Sequence, residues 1–153
     1  MVRADQIITK PGLLPHPEGG FYRQTWVGPV IDGRASGTAI LFLLQAGQNS
    51  HWHRVDADEI WVFNAGAPLL LRIAEADLGP AVAHQLGPIF LAGDMVQMIV
   101  PKGWRLVAET TGVWSLVSCT VSPGFKFASF ELAAPGFDIP GEGWGPAMYP
   151  IQV

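Results

Sequence analysis

The segment Thr38-Ala39-Ile40-Leu41-Phe42-Leu43-Leu44-Gln45-Ala46-Gly47-Gln48-Asn49-Ser50-His51-Trp52-His53-Arg54-Val55-Asp56-Ala57-Asp58-Glu59-Ile60-Trp61-Val62-Phe63-Asn64 sets the fold class. Thr38–Leu44 is a short apolar run, closed by the turn signal Ala46-Gly47. Ser50–Arg54 and Glu59–Asn64 follow as two more short runs, and Val55–Asp58 is a tight connection between them. The same rhythm continues on both sides, with strand candidates at Phe21–Val27, Leu69–Ala74, Ala81–Leu86, Met95–Val100, Trp104–Glu109 and Val113–Val121. Turn pairs such as Gly28-Pro29, Asp32-Gly33, Gly79-Pro80, Gly87-Pro88 and Thr111-Gly112 separate them. Short strands at this spacing predict an all-β sandwich or barrel.

Outside this series, residues 2–9 have room for a helical turn or two before Pro11-Gly12. His16-Pro17-Glu18-Gly19-Gly20 reads as a turn, because Pro fixes φ and Gly permits positive φ. Residues 133–153 are rich in Pro and Gly, with Phe137, Trp144 and Tyr149 between them. They are expected to be irregular and to pack on the domain or on a partner subunit. No second domain and no fixed-period repeat is visible.

Composition narrows the functional classes. Of 153 residues, 49% are apolar and 14% charged, which excludes disorder for most of the chain. No apolar run is long enough to span a bilayer. Ile7-Ile8 between Arg3 and Lys10 is too short for a signal peptide. The single cysteine, Cys119, precludes an internal disulfide and fits a reducing cytoplasm. A net charge of −4, with 9 scattered Lys and Arg, argues against nucleic-acid binding. Neither a Gly-x-Ser-x-Gly nucleophile motif nor a glycine-rich phosphate loop is present.

The densest polar cluster is Ser50–Arg54 with Asp58–Trp61. By strand periodicity, His51 and His53 share one face, as do Glu59, Trp61 and Phe63 on the next strand. Two imidazoles and a carboxylate on one wall suit a divalent metal, or a general base and acid without one. Gln97 is a polar residue on an apolar face and a candidate ligand contact. Arg105 could clamp an anion, and His16 and Glu18 could line the barrel mouth. Leu41, Leu43, Ile99 and Leu106 are candidates for the barrel lining. Arg54 is expected to pair with Asp56, Asp58 or a partner subunit. His84 is expected at the surface, and Cys119 as an inert buried thiol.

Gly47, His51-x-His53, Glu59 and Gly66 resemble the first motif of the cupin superfamily, and Gly93 with Pro101-x-Gly103 resembles the second. More specifically, the chain is similar to the cupin_5 group, formerly a domain of unknown function numbered 985. The likeness rests on His16-Pro17-Glu18-Gly19-Gly20-Phe21, Ser50-x-x-His53-Arg54-Val55, Asp58-Glu59-Ile60-Trp61, Val100-Pro101-Lys102-Gly103-Trp104, and Ser122-Pro123-Gly124-Phe125 with Phe130-Glu131-Leu132. It implies a jelly-roll barrel (a double-stranded β-helix) over residues 1–132, a pocket for a small-molecule ligand, and a homodimer. The chain departs from metal-binding cupins at Leu106, where those carry a second-motif histidine, and in the His53-to-Glu59 interval. Three functions are compatible with the resemblance. One is a metal-independent, epimerase- or isomerase-like enzyme, with His53 as base and Glu59 as its partner. Another is a metal-dependent enzyme holding one divalent transition metal through His51, His53 and Glu59. The third is a metabolite-binding protein without catalysis.

Overall fold

The computed structural model describes residues 2–144. A short helix, α1 (Ala4–Thr9), precedes strands β1 (Leu14–Pro15), β2 (Phe21–Val27), β3 (Val30–Ile31), β4 (Arg34–Ala35), β5 (Thr38–Gln45), β6 (Asn49–Arg54) and β7 (Asp58–Gly66). The chain continues through β8 (Leu69–Ala74), β9 (Ala81–Leu86), β10 (Gln97–Val100), β11 (Arg105–Thr110), β12 (Trp114–Ser122), β13 (Glu131–Leu132) and β14 (Gly141–Trp144). Two six-stranded sheets form, in the orders β1-β2-β5-β12-β7-β10 and β13-β6-β11-β8-β9-β14, with β3 and β4 as a separate hairpin. The all-β jelly-roll class expected from the sequence is the one observed.

Alternation explains why the sheets close face to face. Along β12, Ser115, Val117, Cys119 and Val121 are buried, while their neighbours are half-buried or exposed. Phe42, Leu44, Trp61, Val117 and Cys119 of one sheet meet Leu69, Leu71, Leu86 and Leu106 of the other in a single core. Each fully buried side chain of this kind is worth roughly 1.5–3 kcal/mol. Among the described residues no helix is long and apolar enough to cross a membrane.

Four sequence readings are corrected by packing. The lining of β5 is Ile40, Phe42 and Leu44, whereas Leu43 and Leu41 face outward under Ala4, Ile7, Ile8 and Leu13. The amino-terminal segment covers that outer face, so β5 is apolar on both sides and its phase is not legible from pattern. Ile99 is exposed, on the outer side of β10. His84 is buried rather than at the surface, paired across the sheet with fully buried Leu71. The segment after residue 132 is not wholly irregular, because β14 pairs in parallel with β9. Ala133, Phe137 and Ile139 pack with Trp52, Ala74 and Ala81 on the outer face of the second sheet. The indole Nε1 of Trp52 donates to Asp138, and Arg72 donates to the Ile139 carbonyl. Tyr149, named above with the tail, lies outside the described residues.

Candidate functional site

Between the sheets lies a cavity of about 140 Å³. A pocket of about 150 Å³ accommodates a molecule the size of benzene, so this one takes a small fragment rather than a whole nucleotide. Its polar wall is His16, Glu18, His53 and Glu59, with Gln24, Thr38 and Cys119; its apolar wall includes Phe42, Trp61 and Val121. Phe125, Phe127 and Phe130 close over it from the segment after β12. These three rings pack edge to face, Phe125 and Phe127 with centroids 4.8 Å apart.

At its centre, Nε2 of His53 lies 3.1 Å from Oε2 of Glu18. Both side chains are buried, at 2% and 8% exposure. A bulge in β6 aims His53 inward. Leu106 pairs with His53 and Ala108 with Ser50, so two steps along β11 match three along β6. The extra residue breaks the two-residue period: Ser50 and His53 are both buried, Trp52 joins the outer cluster, and His51 turns aside. Ser50 Oγ accepts the amide of Ala108 at 2.8 Å, a bond the bulged ladder would otherwise leave unmade.

Glu18 reaches the cavity from the 16–20 turn. The turn is closed by His16 N–H to Gly20 O at 2.9 Å and Gly19 N–H to His16 O at 3.0 Å. Gly20 has φ +79°, and a Cβ there would come within 2.6 Å of the Leu43 carbonyl, so only glycine fits. The Glu18 amide donates to His16 Nδ1 at 3.1 Å, which pins the imidazole beside the carboxyl. The His51 amide donates to the Glu18 carbonyl at 2.8 Å, and the His51 carbonyl accepts from His53 Nδ1, also at 2.8 Å. With Nδ1–H so engaged, His53 presents Nε2 to Glu18.

Burial sets the charges. It lowers His53 to a pKa of about 4 and raises Glu59 to about 8. Burial also pushes Glu18 well up, with the Glu59 charge adding to the effect. His16 is lowered to about 4, again by burial. Burial thus favours neutral imidazoles at His16 and His53 and the protonated form of both carboxyls, with Oε2 of Glu18 within hydrogen-bond distance of Nε2 of His53. Cys119 is raised by burial first, then by Glu59 and Glu18, so the thiol stays protonated. Glu59 Oε2 and Trp61 Nε1 are buried with no partner among the described residues. An acceptor and a donor two residues apart on β7 are thus left for a bound species.

Of the site residues expected from the sequence, the structure brings His16, Glu18, His53, Glu59 and Trp61 to the cavity. It does not bring His51, whose Nε2 is 2.9 Å from the Ala134 carbonyl outside the cavity. Phe63 faces inward but packs on the core. Gln97 is exposed on β10. Arg105 is buried on the other face of β11, away from the cavity, with Nε 2.9 Å from Asp77 and Nη2 2.9 Å from Glu131. Arg54 pairs with Glu131, and Asp56 with Arg34. Tyr22, Gln24, Thr38 and the three roof phenylalanines were missed as lining. Only Phe125 and Phe130 carried a signal, through the Ser122-Pro123-Gly124-Phe125 and Phe130-Glu131-Leu132 motifs.

The profile of the family Cupin_5, described as Cupin superfamily (DUF985), matches residues 5–133. This chain belongs to that family. Among solved structures, this cupin is 39% identical to protein SO0799 from Shewanella oneidensis, over 88% of this chain and 86% of that one, with a TM-score of 0.82. A hypothetical protein from Leishmania major is 30% identical over 89% of this cupin and 90% of its own chain, with a TM-score of 0.80. Oxalate decarboxylase from Bacillus subtilis shares the fold alone, at 13% identity and a TM-score of 0.59 over 77% of this cupin and 29% of that chain. No curated protein matches the sequence.

The metal that many cupins hold does not fit these residues. His51 is committed to the Ala134 carbonyl, and fully buried Leu106 stands at the second-motif histidine position. Among the described residues no three His, Cys, Asp or Glu side chains are grouped to hold an ion. The set His51, His53 and Glu59 is not assembled.

Proposed function

We propose that the cavity binds a small polar metabolite and that His53 and Glu18 move a proton on it without a metal, the chemistry of an isomerase or epimerase. The supporting observation is the 3.1 Å approach of Glu18 Oε2 to His53 Nε2 inside an apolar cavity. Two ionisable groups in such a place are costly unless each serves the other or a ligand.

The carboxyl acts as a relay. Its free oxygen accepts a proton from the ligand as Oε2–H passes its own proton to Nε2 of His53. The imidazolium that forms is held at Nδ1–H by the His51 carbonyl. Glu59, in the facing sheet, holds the ligand, and the same relay run in reverse returns the proton. His16 is a positioning residue that receives the Glu18 amide. The phenylalanine roof limits water, which would compete for the transferred proton.

The test is solvent exchange. The protein is incubated in heavy water with a panel of small metabolites bearing a C–H next to a carbonyl, and deuterium uptake is followed by NMR. Wild type is expected to label at least one of them, and His53→Asn and Glu18→Gln to lose that labelling. Uptake that survives both substitutions, or no uptake above buffer with any compound, overturns the proposal.

A further inference from the structure

The ionisable groups facing the cavity are His16, Glu18, Tyr22, His53, Glu59 and Cys119; no Lys or Arg is among its lining residues. Arg105, the nearest candidate from the sequence, is spent on Asp77 and Glu131. An anionic ligand would therefore be buried beside two carboxyls with no countercharge, which is strongly unfavourable. A cation meets the opposite. Glu59 is 6% exposed, and its Oε2 is buried without a partner among the described residues. The same cavity is lined by the rings of Tyr22, Phe42, Trp61, Phe125, Phe127 and Phe130. Rings with their negative faces, beside a carboxylate, are the usual chemistry for seating an ammonium group.

We infer that the cavity selects a ligand carrying a positively charged nitrogen, a primary or quaternary ammonium, seated against Glu59, and that it rejects anions. This rests on the cavity being the ligand site, as proposed above, and narrows the metabolite to an amine-bearing one. A cation beside Glu59 favours its ionised form, so ligand charge and Glu59 ionisation reinforce each other. Trp61 Nε1 then remains to donate to an oxygen of the same ligand.

Three probes of one shape separate charge from fit: choline, its uncharged isostere dimethylbutanol with carbon in place of nitrogen, and pivalate. Binding to the whole chain is measured by calorimetry in mildly alkaline buffer, where Glu59 ionises. Choline is expected to bind at least about tenfold more tightly than the alcohol, and pivalate not at all. Glu59→Gln should erase the preference for choline while retaining the alcohol; circular dichroism confirms that the variant is folded. Equal binding of choline and alcohol, tighter binding of pivalate, or no binding of choline overturns the inference. The outcome is separable from the proton-transfer proposal. Labelling of an uncharged metabolite without choline selectivity overturns only the charge selection, whereas choline selectivity without any labelling overturns only the chemistry.

Discussion

Ser50 Oγ accepts the amide hydrogen of Ala108 at 2.8 Å, across the bulge that turns His53 into the cavity. One hydroxyl thus completes the β6–β11 ladder where its register slips, and the catalytic proposal depends on that slip. Had β6 run without the bulge, His51 and His53 would face the same way and Ser50 would face outward.

Ser50→Ala is expected to leave the Ala108 N–H buried and unpaired. That costs about 1–3 kcal/mol, and in a chain of this size about 2–4 °C of Tm per kcal/mol. Thermal unfolding by circular dichroism measures it. A Tm within a degree of wild type would show that the bond contributes nothing to the bulge.

The stability of the fold is expected to depend on pH through both limbs of the site. Glu59 is raised from 4.5 to about 8, so its contribution is fully present below 4.5 and is lost as pH rises through about 8. His53 is lowered from 6.5 to about 4, so its contribution is present above 6.5 and is lost as pH falls through about 4. Glu59→Gln should reduce the alkaline limb, to which the raised Glu18 also contributes, and leave the acid limb in place. Denaturant midpoints across that range, for both proteins, provide the check; parallel curves would mean that Glu59 ionises freely in the folded state.

Arg105 is expected to stabilise rather than bind ligand. Its guanidinium is buried and joins Asp77 to Glu131, which also receives Arg54. Arg105→Ala should lower stability by about 1–3 kcal/mol, since both partners are half exposed and recover water. Choline affinity should stay within twofold of wild type. A stable variant with lost affinity would return Arg105 to the ligand site.

We propose that the homodimer expected from the sequence forms along β2. β1 pairs only with Phe21 and Tyr22, so among the described residues the outer edge of the strand beyond them is left open. Trp26, Val27, Val30 and Ile31 are all at least half exposed beside it. An antiparallel edge is self-complementary across a two-fold axis. Light scattering at micromolar concentration should give twice the chain mass, and Val27→Lys with Ile31→Lys should halve it. A monomeric wild type would rule the arrangement out.

Elements whose signal is local were legible in the sequence. Phe21–Val27, Leu69–Ala74 and Ala81–Leu86 follow from short apolar or alternating runs between turn residues, and the strands have those bounds. His53, Glu59 and Trp61 could be placed at one cavity, because the link through Val55–Asp58 is short and their residue types are costly to bury idly. The common wall expected for them is two walls, however, since that link crosses from one sheet to the facing one. The rest depended on contacts distant in sequence. Which face of β5 is the lining was decided by α1 and Leu13 packing on the other side. Arg105 and His84 became buried because Glu131 and Asp77 bind one and Leu71 lies across from the other. Glu18 entered the site because a turn far from His53 in sequence is held to β6 by the His51 amide. Sequence alone sets which residues prefer strand, turn or interior, since those preferences act within a few bonds. Tertiary structure alone decided which carboxyl meets His53, because that pairing exists only once the two sheets close and exclude water from both groups.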